Sequence, residues 1–260
     1  MRTLALLFVL LASPLSAMTP EDCQQRLSAV AGFIPSAEEI RLAPDVTEDG
    51  WCRVLDGPFG GGLEWTLDVL GQEFTFELRQ KRLVFEDVGT FGLSGRVEAR
   101  SDQLSIGPVR LMSGNGDAIS LTASFGVAGT EERQFSLTNG RLSVSGESGL
   151  VNKVLAWAFR QDLAAARSSF ISARDQRRFM EEWLETDAMP LIDKPSADAF
   201  LDMLKAYPRA EGFAVLSVRE DAPVNVSGLI NAVLFGAPFS RSEAGQLIEA
   251  SGLTFTWQPG

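Results

Sequence analysis

Arg133–Gly146 reads RQFSLTNGRLSVSG, and the conformation of its middle decides what kind of sheet the protein builds. Phe135 and Leu137 alternate with polar residues, Asn139-Gly140 interrupts, and Leu142 and Val144 resume the alternation. Asn-Gly between two alternating runs is the strongest short-range hairpin signal, because a type I′ turn needs positive φ at both central residues. As that turn, Asn139-Gly140 sets Thr138 opposite Arg141, Leu137 opposite Leu142 and Phe135 opposite Val144. Side chains alternate along a strand with period two, so the four apolar groups share one face and Ser136, Thr138, Arg141 and Ser143 the other. One face is wet and the other has to be buried.

The pattern extends upstream. In LEWTLDVLGQEFTFEL, Leu63, Trp65, Leu67 and Val69 alternate, Gly71-Gln72 suits a type II′ turn, and Phe74, Phe76 and Leu78 follow. That register pairs Val69 with Phe74 and Leu67 with Phe76. The charged Arg79-Gln80-Lys81-Arg82 reads as another turn, before Leu83 and Phe85 and then Phe91, Leu93 and Val97. Leu104 and Ile106 precede Gly107-Pro108, and Ile119, Leu121, Ala123, Phe125 and Val127 form the longest strict alternation. About eight short strands, with turn signals roughly ten residues apart, predict an antiparallel meander or half-barrel rather than βαβ units.

Residues 1–17, MRTLALLFVLLASPLSA, have the form of a secretory signal peptide: Arg2, an apolar run from Leu4 to Ala12, Pro14, and small residues up to Ala17. The run is short of the about 20 residues an ordinary spanning helix needs, and no later stretch reaches that length. Cys23 follows Thr-Pro-Glu-Asp and lacks the small-residue context of a lipidation site. Export to an oxidising compartment makes the two cysteines a pair, Cys23 with Cys52. Closing a loop of about 30 residues stabilises by roughly 3–4 kcal/mol in the chain-entropy model.

Residues 18–149 are expected to hold an N-terminal helix and the antiparallel sheet. The helix opens at Thr19-Pro20-Glu21-Asp22 and runs to about Phe33. Residues 150–260 lose the alternation and become helical, with returning strands at Gly212–Glu220 and Leu253–Pro259, all packed on the sheet as one domain. Leu150, Val151, Val154, Leu155 and Ala158 follow helical spacing, as do Phe179, Met180, Trp183 and Leu184. Ser196 is the expected cap of a helix ending near Pro208; Leu229–Leu234 and Ser242–Ala250 are further helices. The expected fold class is α+β: a curved antiparallel β-meander or half-barrel with C-terminal helices on its apolar face.

Chemistry is harder to find. The absence of histidine excludes Ser-His-Asp and Cys-His mechanisms and His-ligated metals, and no lysine follows a serine by three residues. Glu181 with Glu185 and Asp198 with Asp202 share helix faces, but Arg177 and Arg178 lie four residues before Glu181 and Glu182, the pattern of a solvated ion-pair face, and first-turn capping and solvent exposure account for Asp198 and Asp202. Neither the glycines at Gly60–Gly62 nor Ser113-Gly114-Asn115-Gly116-Asp117 carries a phosphate-loop pattern, and calcium-loop acid spacing is missing at Asn115 and Asp117. Net charge of −11 disfavours nucleic acid and anionic membrane surfaces as partners. No metal or other cofactor is expected.

Trp65, Phe74, Phe76, Phe85, Phe125 and Phe135 would share the apolar sheet face, either as core or as the lining of a hydrophobic-ligand site. FSLTNGRLSVSG, the alternating strands from Leu63 onward and YPRAEGFAVLSVRED resemble periplasmic β-rich envelope proteins of the AsmA type. The resemblance covers Leu63–Gly146 and Tyr207–Asp221 and implies a curved sheet with an apolar face and a role in moving or organising envelope lipids. The sequence departs from that family in its shortness, in lacking a convincing retained anchor and in its helical segment from Leu150 to Tyr207. The expected function is that of an exported, periplasmic or secreted, non-enzymatic envelope protein binding a lipid or other hydrophobic ligand. The alternative is a structural or assembly protein with a self-covered core that docks on an envelope protein partner.

Overall fold

A computed structural model of the protein describes residues 19–31, 44–54, 62–70, 73–85, 88–100, 102–128, 134–146, 149–158, 172–188, 191–218, 223–228 and 241–260. The expected signal peptide, the expected Gly71-Gln72 turn and the expected Leu229–Leu234 helix lie outside the described residues. The protein divides into two units, Met1–Thr66 and Leu67–Gly260.

The first unit contains helix α1 (Pro20–Ala31) and strands β1 (Pro44–Val46), β2 (Cys52–Val54) and the start of β3 (Leu63–Leu70). Thr19 caps α1 reciprocally: its hydroxyl accepts from Asp22 N at 3.2 Å and its own N–H donates to Asp22 Oδ2 at 2.8 Å. Those bonds from Thr19 hold the Asp22 carboxyl below its usual range. β2 pairs antiparallel with both β1 and β3, and across β2 and β3 Arg53 Nη2 meets Glu64 Oε1 at 2.7 Å. Cys23 on α1 is bonded to Cys52 on β2, the expected disulfide, and both cysteines are fully buried.

In the second unit the strands are β4 (Glu73–Phe85), β5 (Gly89–Ala99), β6 (Gln103–Met112), β7 (Ala118–Ala128), β8 (Gln134–Gly146), β9 (Gly212–Val218), β10 (Val224–Asn225) and β11 (Thr254–Gln258). Their order is β4-β5-β6-β7-β8-β9-β11, with β10 beside β8, and each described pairing is antiparallel. The helices are α2 (Leu150–Ala158), α3 (Ala173–Trp183, continued by a π turn Leu184–Ala188), α4 (Lys194–Ala206) and α5 (Arg241–Ser251). The fold is α+β, an open curved antiparallel sheet with helices on its apolar face, as the patterning predicts.

The strands are longer than expected, and the difference has one cause. Arg133–Gly146 is not a hairpin: Gln134–Gly146 is a single strand, and Asn139-Gly140 lies in its middle. Gly140 pairs with Ala123 of β7 on one side and Val218 of β9 on the other, and it is not among the glycines with positive φ. Pairing on both flanks overrides the local turn preference of the dipeptide. Ser124 faces Asn139 while Phe125 faces Leu137, so Thr138 is an extra residue, a β-bulge. Arg79-Gln80-Lys81-Arg82 is likewise no turn, because the register of β4 shifts by one residue between Gln80 and Leu83 and the strand continues. Gly107-Pro108 forms the same device in β6, between Ile106 and Val109.

The bulges therefore fall on alternate strands, β4, β6 and β8, at the points where the sequence is punctuated. They also correct the phase. Phe74, Phe76 and Leu78 occupy even positions while Leu83 and Phe85 occupy odd ones, and β6 and β8 change parity in the same way. Without an extra residue, half of each strand would turn its apolar side chains to the polar face.

Phe91, Val144, Ala214 and Phe255 from the sheet form the core with Leu150, Val151 and Leu155 of α2, Met180 of α3, Leu184, and Met203 and Leu204 of α4. Buried polar groups fix this layer. Asn152 Nδ2 donates to Ala210 O at 3.0 Å and Ala210 N donates to Asn152 Oδ1 at 3.1 Å. Ser196 is not the cap of α4; Asp193 is, accepting from Ser196 N at 2.9 Å. The Ser196 hydroxyl is buried and accepts from Phe255 N at 2.8 Å, so α4 satisfies an outward-facing amide of β11. The Trp183 side group lies outside the described part of the structure.

Candidate functional site: the apolar face of the sheet

Directly opposed residues of an antiparallel ladder share a face, so the strand registers trace the apolar surface across the sheet. One row runs Phe74, Ala99, Leu104, Phe125, Leu137, Val224. The next runs Phe76, Val97, Ile106, Ala123, Gly140, Val218. Beyond the bulges the rows continue through Leu93, Leu111, Ile119, Val144 and Ala214, where the helices sit. Outside the bulges, every residue on this face of β4–β8 is apolar or glycine except Gln80.

Among the described residues, the helices pack on this face at one end. Phe85, Leu111, Ile119, Leu216 and Trp257 pack against the core cluster. Phe74, Phe76, Val97, Leu104, Ile106, Phe125, Phe135 and Leu137 are outside that cluster and half-buried. Between the two ends, Leu121 stands opposite Leu142 on the same face and keeps 40 % of its surface exposed. The segment beyond β10 closes the backbone at the margin: Phe135 N donates to Ser227 Oγ at 2.9 Å and Val226 N donates to Phe135 O at 2.9 Å.

Of the six aromatics singled out from the sequence, four lie at this half-buried end, on strands β4, β7 and β8: Phe74, Phe76, Phe125 and Phe135. Phe85 lies at the helical end, edge-on to Phe91 with ring centroids 6.0 Å apart. Trp65 belongs to the first unit, where it is 3 % exposed and opposite Cys52. Leu121 was visible in the alternation but had no mark to set it apart from its neighbours, because exposure depends on which rows the helices reach.

The opposite face is mostly polar, with Arg96 bridging Glu77 at 3.1 Å and Glu98 at 2.6 Å, and it also exposes Val84 and Met112. Glu181 pairs with Arg177 at 3.5 Å, as its spacing predicts, and the exposed Asp198 pairs with Lys194 at 3.0 Å while Asp193 is the cap. Asp202 bonds Lys205 at 2.8 Å, which raises the ammonium pKa. Among the described residues no three His, Cys, Asp or Glu gather to hold a metal ion, and Asn115 Oδ1 accepts from the Ser113 hydroxyl. No helix of the described residues is long and apolar enough to cross a membrane. No protein-family model matches the sequence, and no curated protein or solved structure matches it either.

Proposed function

We propose that the protein is an exported, non-enzymatic envelope protein that holds a lipid or other hydrophobic ligand against the apolar face of its sheet. The observation that carries this reading is the uneven cover of that face among the described residues: a closed core at the helical end, and beyond it the exposed Leu121 beside the half-buried Phe74, Phe76, Ile106, Phe125 and Leu137. An antiparallel sheet commonly packs one whole face on a core, and contiguous exposed apolar surface marks an interaction site. The leader-like residues 1–17 and the buried Cys23–Cys52 bond support export. The resemblance to AsmA-type proteins points in the same direction. A second reading, a protein with a self-covered core that docks on an envelope partner, draws on the closely packed contacts of Leu155 and Leu204.

A titration with the neutral apolar dye N-phenyl-1-naphthylamine separates the two. Ligand binding predicts saturable fluorescence that fatty acids displace and that Leu121→Asn, at a position already 40 % exposed, weakens without lowering the unfolding midpoint. Absence of saturable binding by the wild-type protein leaves the docking reading.

A further inference from the structure

Two Asn-Gly dipeptides occur in the sequence, Asn115-Gly116 and Asn139-Gly140, and the fold gives them opposite environments. We propose that Asn115 is a site of spontaneous deamidation and isoaspartate formation in the folded protein, and that Asn139 is protected. In this reaction the backbone nitrogen of the following residue attacks the carboxamide carbon of asparagine. The new C–N bond closes a succinimide while the carboxamide C–N bond breaks, and ammonia leaves with the proton of the attacking amide. Water then opens the ring at either carbonyl, giving aspartate or isoaspartate. Glycine favours the first step because it places no Cβ beside its nitrogen.

Asn115-Gly116 meets these demands. Gly114, Asn115 and Gly116 are all exposed in the turn between β6 and β7. Gly116 has φ +91°, and a Cβ built on Gly114 or Gly116 would meet nothing within 4 Å. The Ser113 hydroxyl stands beside Asn115 Oδ1, the oxygen that gains charge when the carboxamide is attacked, and is also within reach of Asp117 O at 3.3 Å. Gly116 N donates to Ser113 O at 3.2 Å, a bond that closes an exposed turn and opens by local fluctuation. Asn139 is held instead within the sheet, opposite Ser124, and its Gly140 is buried between Ala123 and Val218. Attack there requires strand β8 to leave the ladder on both sides.

The test is a time course of the full-length protein in mildly alkaline buffer, with peptide mapping and isoaspartate detection, run folded and in denaturant. Folded protein is expected to modify at Asn115 at least about tenfold faster than at Asn139, the factor that about 1.4 kcal/mol of additional opening cost supplies. In denaturant the two rates should converge. Equal rates at the two sites in the folded protein, or an Asn115 that stays intact while the denatured protein is modified there, would overturn the proposal.

Discussion

Gly107 shows how little room the bulge on β6 leaves. Its φ is +121°, and a Cβ there would lie 2.8 Å from Leu121 O and 2.9 Å from Thr122 Cγ2. Both the backbone conformation and the space require glycine, so Gly107→Ala should destabilise by about 1–3 kcal/mol, the range for local strain and overpacking. Urea unfolding of the variant measures this, and an unchanged midpoint would contradict the bulge geometry. Asn152 is a second sensitive position, because its carboxamide satisfies both the N–H and the C=O of Ala210 in a buried site. Asn152→Leu should cost about 1–3 kcal/mol for each group left unpaired, and a variant as stable as the parent would show that those groups find other partners. At this scale some sites were legible and others were not. Cys23 and Cys52 were legible because an oxidised pair has only one partner to choose. Asn139 was misread because a dipeptide carries no record of which strands flank it; Asn115 and Asn139 have the same neighbour and adopt different structures. Ser196 looked like a cap because Lys194-Pro195 precedes it, yet Asp193 stands just before the first residue of α4 and takes that role.

Among the elements, β4, β6 and β8 were each broken at their bulge when judged by sequence, since charge runs, Gly-Pro and Asn-Gly punctuate a bulge in the same way as a turn. The facing of the side chains nevertheless came out correctly for Phe135, Leu137, Leu142 and Val144. A two-residue turn and a one-residue bulge both return the apolar residues to one face. Deletion separates the two accounts. Removing Thr138 takes away the extra residue and leaves Phe135, Leu137, Gly140, Leu142 and Val144 in unbroken alternation, so β8 should still fold. The cost should be about 1 kcal/mol from the lost bond of Thr138 Oγ1 to Ser124 O. Removing Ser143 instead reverses the facing of one part of the strand relative to the other and should prevent folding. Circular dichroism and solubility of the two deletions check this; a folded Ser143 deletion beside an unfolded Thr138 deletion would contradict the register. The helices were legible from their period, but their reach along the sheet was not, because it depends on strand lengths that the misread bulges had halved.

For the whole molecule, the disulfide lies in the first unit and should matter there. With its cysteines 29 positions apart, it stabilises by about 3–4 kcal/mol in the chain-entropy model. Reduction is therefore expected to raise amide exchange in β1, β2 and the start of β3 while β5–β9 keep their protection. Loss of protection across the whole sheet would show that the two units do not unfold separately. The α+β class and the one-sided character of the sheet were legible because period-two alternation is a property of the strands themselves. Whether the apolar face is wholly covered was not, since core and binding surface use the same residues. The most direct measurement is native mass spectrometry of the protein purified gently from its own host. The ligand-binding account predicts discrete added masses that organic extraction identifies as lipids or other apolar molecules, reduced by Leu121→Asn. A bare mass, equal to the polypeptide less the two hydrogens of one disulfide, would contradict it.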